Sequence, residues 1–422
     1  ARHCVNELTS KKYHGRGYVK DGSNRAASFL FNEFLKYSTD KPFYQSFSFP
    51  VNTFPNKMNV CINGKSIVPG KDFIIGTACP SINGEYTIIT IDSSNYNTIN
   101  TDLSKTFVLF DTIGCNGAID KEYIKRFQLV HTVAGYIQIE EKKLTWSVNN
   151  QQKFPVVYIL RKALPAPTSK IKIQVDASLI NYNAKNIIGQ IEGQVPDSFI
   201  FITAHYDHLG QMGKKTYFPG GNDNASGTSM VLNLMEYYSN PINKPRYTIV
   251  FILFAGEEAG LLGSEYYTTH PTKDLNKIKF LLNLDLMGTG EEGMMVVNGS
   301  IFEKEFSLLE KINSEKNLLK TIGKRGKAQN SDHYYLTEKG VPALTWSADL
   351  AKIAQAWAND LAGRNCDFKH SGSQYGENLA GGSGGYTVAM LIQGWAEEKK
   401  DFDPNTRKCI QGKVCGHYTQ II

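Results

Sequence analysis

The sequence predicts an α/β fold: a three-layer α/β/α mixed sheet, interrupted by a β-rich insert and followed by a partial α+β segment. Three observations predict it. From residue 186 onward apolar strands alternate with helices, residues from about 45 to 180 break into short strands between Asn, Gly and Pro, and the texture changes again near 346. Alternating strands and helices are the pattern of a sheet covered on both faces.

In chain order, NRAASFLFNEFLKY (24–37) spaces its apolar groups as a helix does, and the next segment reads as mostly strand. Then come NIIGQIEG, SFIFITA, a helix at about 226–239, RYTIVFILFA, a helix at about 259–269 and KFLLNLDLM. After residue 346 a helix, SADLAKIAQAWANDLA, leads into a Gly/Ser stretch, a helix near 387–400 and a cysteine-rich end. No solenoid repeat is present.

The 422 residues, 41% apolar and 20% charged, have the composition of a soluble globular protein, and no apolar run is long enough to cross a bilayer. The net charge of +6 is scattered, so nucleic acid is not indicated as a partner. A start at Ala1 reads as a processed product. The seven cysteines show no CxxC or zinc-finger spacing, and their odd count leaves at least one thiol unpaired within the chain.

Chemistry concentrates in AHYDH (204–208), GGNDNASG (220–227), AGEEAG (255–260) and NLDLMG (283–288), each at a predicted strand end, where ligands gather in such sheets. Imidazole and carboxylate oxygen suit zinc, and Asp223 is the natural bridge between two ions. Of the adjacent acids, Glu258 is assigned to metal and Glu257 to general base. Asp207, beyond His205, is expected to orient the imidazole. Singly, HxDH also reads as an exposed loop and GEE as a helix start with acids at its positive end.

These residues resemble the zinc aminopeptidases related to bacterial leucyl aminopeptidase and to glutamate carboxypeptidase, over about 1–345 and most strongly over 186–345. The resemblance implies a zinc exopeptidase fold and a dinuclear zinc site, with His205 and Asp285 on one ion, Glu258 on the other, Asp223 bridging and Glu257 as base. It implies a protease-associated type of insert and a supporting role for Ser331, Asp332 and His333. The family's closing Tyr-His motif is absent after GVPAL, so the ion at Glu258 is expected to lack its imidazole unless His333, His370 or His417 supplies one. One or two zinc ions are therefore expected.

LTWSADLAKIAQAWANDLA, HSGSQYGENLA and GHYTQII resemble a second family, the secreted CAP proteins that include plant pathogenesis-related and cysteine-rich secretory proteins. That resemblance implies a cleft tetrad of His370, Glu377, Glu398 and His417, a local Cys409–Cys415 disulfide and a secreted or otherwise extracytoplasmic location. The chain thus reads as a chimeric junction of a zinc aminopeptidase-like domain (1–345) and a partial CAP-like segment (346–422). The expected function is hydrolysis of N-terminal peptide bonds in a peptide with a free N-terminus, impaired by the absent His motif. The alternatives are a non-catalytic secreted binding protein using the CAP-like cleft, and single-zinc acyl transfer of the glutaminyl cyclase type.

Overall fold

The structure is a computed structural model that describes residues 1–91, 102–110, 127, 132–141, 143–144, 146–148, 154–288, 290–291 and 293–344, with the backbone of 345–347, 402–403 and 408–409. The CAP-like tetrad lies outside the described residues, as do Cys366, Cys415 and the expected helices after 347.

Two helices, α1 (Arg2–Leu8) and α2 (Gly22–Tyr37), precede strand β1 (Phe43–Thr53). Eight strands of a separate sheet follow: β2 (Met58–Ile62), β3 (Lys65–Ile67), β4 (Phe73–Ile75), β5 (Ile82–Ile91), β6 (Leu103–Phe110), β7 (Val133–Glu140), β8 (Val156–Leu160) and β9 (Lys170–Val175). The chain returns in β10 (Ser178–Ile191) and β11 (Val195–His205), then forms the small hairpin of β12 (Gln211–Met212) and β13 (Thr216–Tyr217). Helix α3 (Gly227–Ser239), β14 (Tyr247–Phe254), α4 (Leu262–Thr269), β15 (Ile278–Leu284), β16 (Met294–Val297), α5 (Glu303–Lys316), β17 (Ile322–Lys324), α6 (His333–Glu338) and β18 (Ala343–Ser347) complete it.

The main sheet has the order β1-β10-β14-β11-β15-β18-β16-β17. Strands β14, β11, β15 and β18 run parallel at its centre, and β10 and β16 join them antiparallel. β14 is buried at every position after Tyr247, as a strand covered on both faces must be. Its period of two sends Ile249, Phe251 and Leu253 into one core and Val250, Ile252 and Phe254 into the other. The first core is closed by Ala26, Leu30 and Phe34 of α2 and Val231, Leu232 and Met235 of α3. The second is closed by Tyr267 of α4 and Leu336 of α6. The observed architecture is the three-layer mixed α/β sheet expected.

Two boundaries differ from the reading of the sequence. β1, expected within the insert, pairs with β10 along its whole length, from Phe43 opposite Ile188 to Thr53 opposite Ser178, so the separate sheet runs from Met58 to Val175. β18 continues through Ser347, past the expected junction at 345, with Trp346 opposite Leu284. Among the described residues, Cys4, Cys61 and Cys79 are free thiols, and no helix is long and apolar enough to cross a membrane.

Candidate metal centre

Parallel pairing sets the level of the site. Phe254 lies opposite His205, and Asn283 opposite Thr203, so β14, β11 and β15 release their next residues at one edge of the sheet. His205 is the last residue of β11, Asp285 follows β15 directly, and Glu257 and Glu258 follow β14 after the turn at Gly256, whose φ of +70° suits glycine. Asp223 comes from the turn before α3, with a cis peptide to Asn224. Helix α3 is drawn tight against the ligand strands: Thr228 Oγ1 donates to the His205 carbonyl (2.9 Å) and Asn224 Nδ2 to the Leu284 carbonyl (2.9 Å). A Cβ at Gly227 would lie 2.1 Å from that carbonyl, so only glycine permits the approach.

The side chains form two groups that share Asp223. In the first, His205 Nε2 stands 3.3 Å from both Asp223 Oδ1 and Asp285 Oδ1. Ligands ~2.0–2.1 Å from a tetrahedral zinc are ~3.3 Å apart, so these separations fit the ion. In the second, His208 Nδ1 stands 2.6 Å from Glu258 Oε1 and 3.8 Å from Asp223 Oδ1. The short contact lacks hydrogen-bond alignment, leaving both buried atoms without a hydrogen-bond partner. Glu257 Oε2 lies beside the first group, 3.9 Å from His205 Nε2.

The sequence reading assigned no role to His208. Its signal was present, in a second imidazole three residues after the first, but the resemblance pointed to His333, His370 and His417 instead. The structure puts that imidazole at Glu258, where the reading expected none. His333, one of the candidates to fill the gap, is 1% exposed at the start of α6 and belongs to neither donor group.

Asp207 also differs from expectation. The chain turns after His205, so its Nδ1 faces the Asp207 backbone carbonyl at 3.2 Å, while the Asp207 carboxylate approaches only to 3.8 Å. That carboxylate instead accepts hydrogen bonds from the Tyr18 hydroxyl (2.9 Å) and the Glu257 amide (3.2 Å). It holds the loop of the two glutamates rather than the imidazole.

Arg16, which the reading also passed over, is fully buried. Its guanidinium donates to the carbonyls of Tyr206 (2.7 Å), Leu8 (3.1 Å), Pro219 (2.7 Å), Gly220 (2.8 Å) and Asp223 (3.3 Å). One side chain thereby ties α1 to the loops that carry His205, His208 and Asp223. Behind the site Thr203 Oγ1 donates to Asn283 Oδ1 (2.7 Å), and Asn283 Nδ2 donates to Ser331 Oγ (2.8 Å).

The electrostatics favour cations. Asp207, Asp223, Glu257, Glu258, Asp285 and Asp332 converge here, with Arg16 as a fixed positive charge facing several of them. Burial, with Glu258, Asp285 and Asp332 adding repulsion, raises the Glu257 carboxyl well above its ordinary range against the pull of His205. Burial likewise raises Glu258, and pushes Asp332 up to about 7. At Asp223 burial acts in the same direction, but the hydrogen bond and charge of His205, with His208 and Arg16, bring it down to about 2. Burial alone would lower His205, yet Glu257, Asp285 and Asp223 carry it well above its ordinary value. A set of imidazoles and carboxylates with such an excess of negative charge fits divalent zinc.

Solved structures share the fold. A zinc aminopeptidase from Bacillus subtilis superposes with a TM-score of 0.61 at 20% identity, covering 82% of this chain and 84% of its own. An aminopeptidase from Aneurinibacillus sp. strain AM-1 gives 0.55 at 18% identity, covering 82% and 87%. Pathogenesis-related protein 1A of Nicotiana tabacum is 44% identical over 104 residues, which are 23% of this chain and 61% of that protein. Pathogenesis-related leaf protein 4 of Solanum lycopersicum is 43% identical over 102 residues, 22% and 62%. The chain thus spans about three-fifths of the length of these curated relatives. Residues 186–372, which contain both three-donor groups and Glu257, match Peptidase family M28, on a fold shared with solved bacterial aminopeptidases.

Proposed function

We propose that this chain is a two-zinc aminopeptidase whose second ion is held by His208. The observation that carries the reading is the pair of three-donor groups sharing Asp223, with Glu257 beside them. His205, Asp223 and Asp285 would hold one ion, and His208, Asp223 and Glu258 the other. Bound zinc supplies Lewis acidity at a peptide carbonyl and makes water acidic enough to attack it.

Glu257 carries the proton. Its buried carboxyl accepts it from the attacking water and returns it to the departing amine nitrogen, a role that its raised pKa supports. Asp207 fixes the backbone of Glu257 through its amide. His208 answers the absent Tyr-His motif, so the expected impairment has no support from the ligand count, and a one-zinc cyclase-like reaction is disfavoured. The likeness to pathogenesis-related proteins supports a separate CAP-like segment after the catalytic domain, with His370, Glu377, Glu398 and His417 as its tetrad and an extracytoplasmic location.

Zinc content measured together with hydrolysis of a panel of aminoacyl anilides tests the reading. Two tightly held ions and release of the N-terminal residue are expected. A single ion, or cyclisation of an N-terminal glutamine without hydrolysis, would refute it.

A further inference from the structure

Three residues beyond His208, Gln211 lines an open cavity of about 380 Å³ with no carboxylate in its lining. Lys11 and Lys20 face it from the amino-terminal segment, and Lys214 and Lys215 from the β12–β13 hairpin. Among the described residues none of these lysines has an ion-pair or hydrogen-bond partner, whereas neighbouring Lys12 is paired with Glu7. Asp21, adjacent to Lys20, is engaged elsewhere by the Tyr182 hydroxyl (3.0 Å) and Asn24 Nδ2 (2.8 Å).

The backbone holds this arrangement in an unfavourable conformation. His14 and Lys20, both lining the cavity, have φ of 47° and 52°, where residues with a Cβ are disfavoured. His14 is steadied by its Nδ1 contact with Gln211 Oε1 (2.9 Å), and Tyr217 adds a half-buried hydroxyl-bearing ring to the lining. Four unpaired lysines around one cavity favour an anionic occupant.

The cavity is fastened to the metal site. His208 N donates to the Arg16 carbonyl (3.2 Å) and Gly210 N to the Gly15 carbonyl (3.0 Å), which joins the two walls immediately beside a proposed zinc ligand. Gln211 is three residues beyond His208, a chain distance of at most ~11 Å. An extended peptide advances ~3.3–3.6 Å per residue. A peptide with its amino terminus at the metals covers that same ~11 Å between its first and fourth residues.

We propose that this cavity recognises carboxylate side chains at the third to fifth positions of the peptide substrate, making acidic peptides the preferred class. The inference rests on the aminopeptidase reading. Pairing with several lysines should favour Glu over Gln by about tenfold in kcat/KM, equivalent to ~1.4 kcal/mol, through KM.

The test compares leucine-led peptides carrying Glu or Gln at positions three to five, cleaved by the full zinc-loaded chain. The preference for Glu should be about tenfold at low salt, fall towards unity near ~1 M salt, where the screening length is only ~3 Å, and shrink in the Lys20→Gln/Lys214→Gln/Lys215→Gln variant. Binding of N-acetylated Glu and Gln peptides, followed by fluorescence anisotropy, gives a second readout independent of turnover. Equal cleavage of the two peptides, or a preference unchanged by the triple substitution, overturns the acidic-substrate inference and leaves the peptidase reading standing. If neither peptide is cleaved, the peptidase reading falls. The acetylated pair then decides whether the cavity binds acidic chains at all, and equal binding overturns that as well.

Discussion

The two donor groups share one carboxylate but are built differently. His205 ends a buried strand and Asp285 follows another, and their ligand atoms already stand at the 3.3 Å expected around tetrahedral zinc. His208 and Glu258 sit three and four residues beyond their strands, and their contacts are uneven at 2.6 Å and 3.8 Å. A sheet edge fixes ligands in advance, whereas loop residues must shift to admit an ion. The first ion should therefore bind more tightly.

The largest expected effect tests the chemistry common to both groups. Glu257→Gln should keep both ions and lower hydrolysis by ~10² to 10⁴, since an amide cannot accept the proton. A variant retaining more than about a tenth of the parental kcat would remove Glu257 from that role.

The next prediction sharpens the contrast. His208→Ala should leave one tight zinc and weaken the second by at least ~100-fold, while His205→Ala should lose the tighter ion and most of the zinc-dependent gain in melting temperature. Zinc titration and thermal unfolding measure both. If His208→Ala still bound two ions tightly, its assignment would be lost.

A smaller effect is expected from Asp207→Asn, which weakens the support of the glutamate loop without removing a ligand. Metal affinity or kcat should fall by ~10- to 100-fold, as for other groups that orient ligands. Because Asp207 meets the Glu257 amide, the loss should be larger in kcat than in affinity at the His205 group. The reverse split would return Asp207 to orienting the imidazole.

The last effect is on stability rather than on rate or metal affinity. Burial pulls His333 down to about 3, so between that value and an ordinary ~6.5 the unfolded chain binds a proton that the folded chain refuses. Stability is then highest above ~6.5 and declines as pH falls, by up to ~1.4 kcal/mol per unit from this group. Urea midpoints between pH 7 and about 4 should fall less steeply for His333→Gln, and parallel slopes would refute the contribution.

The central strands were legible because burial on both faces leaves a nearly unbroken apolar run, as in RYTIVFILFA, and their ends pointed to His205, Asp223, Glu258 and Asp285. β1 was misplaced because FYQSFSFP alternates like the strands of the insert, and its partner β10 lies more than a hundred residues away. Pro50 fits this position, since an edge strand tolerates a residue without an amide proton. The expectation for Asp207 followed from its place two residues beyond His205, and the turn of the chain there brings its backbone carbonyl, rather than its carboxylate, to Nδ1. Arg16 had no signal of its own: a guanidinium that donates to carbonyls leaves no complementary residue type in the sequence.

The pairing of Thr53 with Ser178 has a further consequence. The chain leaves and re-enters the main sheet at facing positions on its edge, so topologically the whole β-rich body is the tip of a hairpin. Such a body can be acquired, exchanged or discarded without changing the order of any strand that carries a ligand, because a tight turn would close the same two strands. The main sheet and its appendage are thereby free to diverge at separate rates.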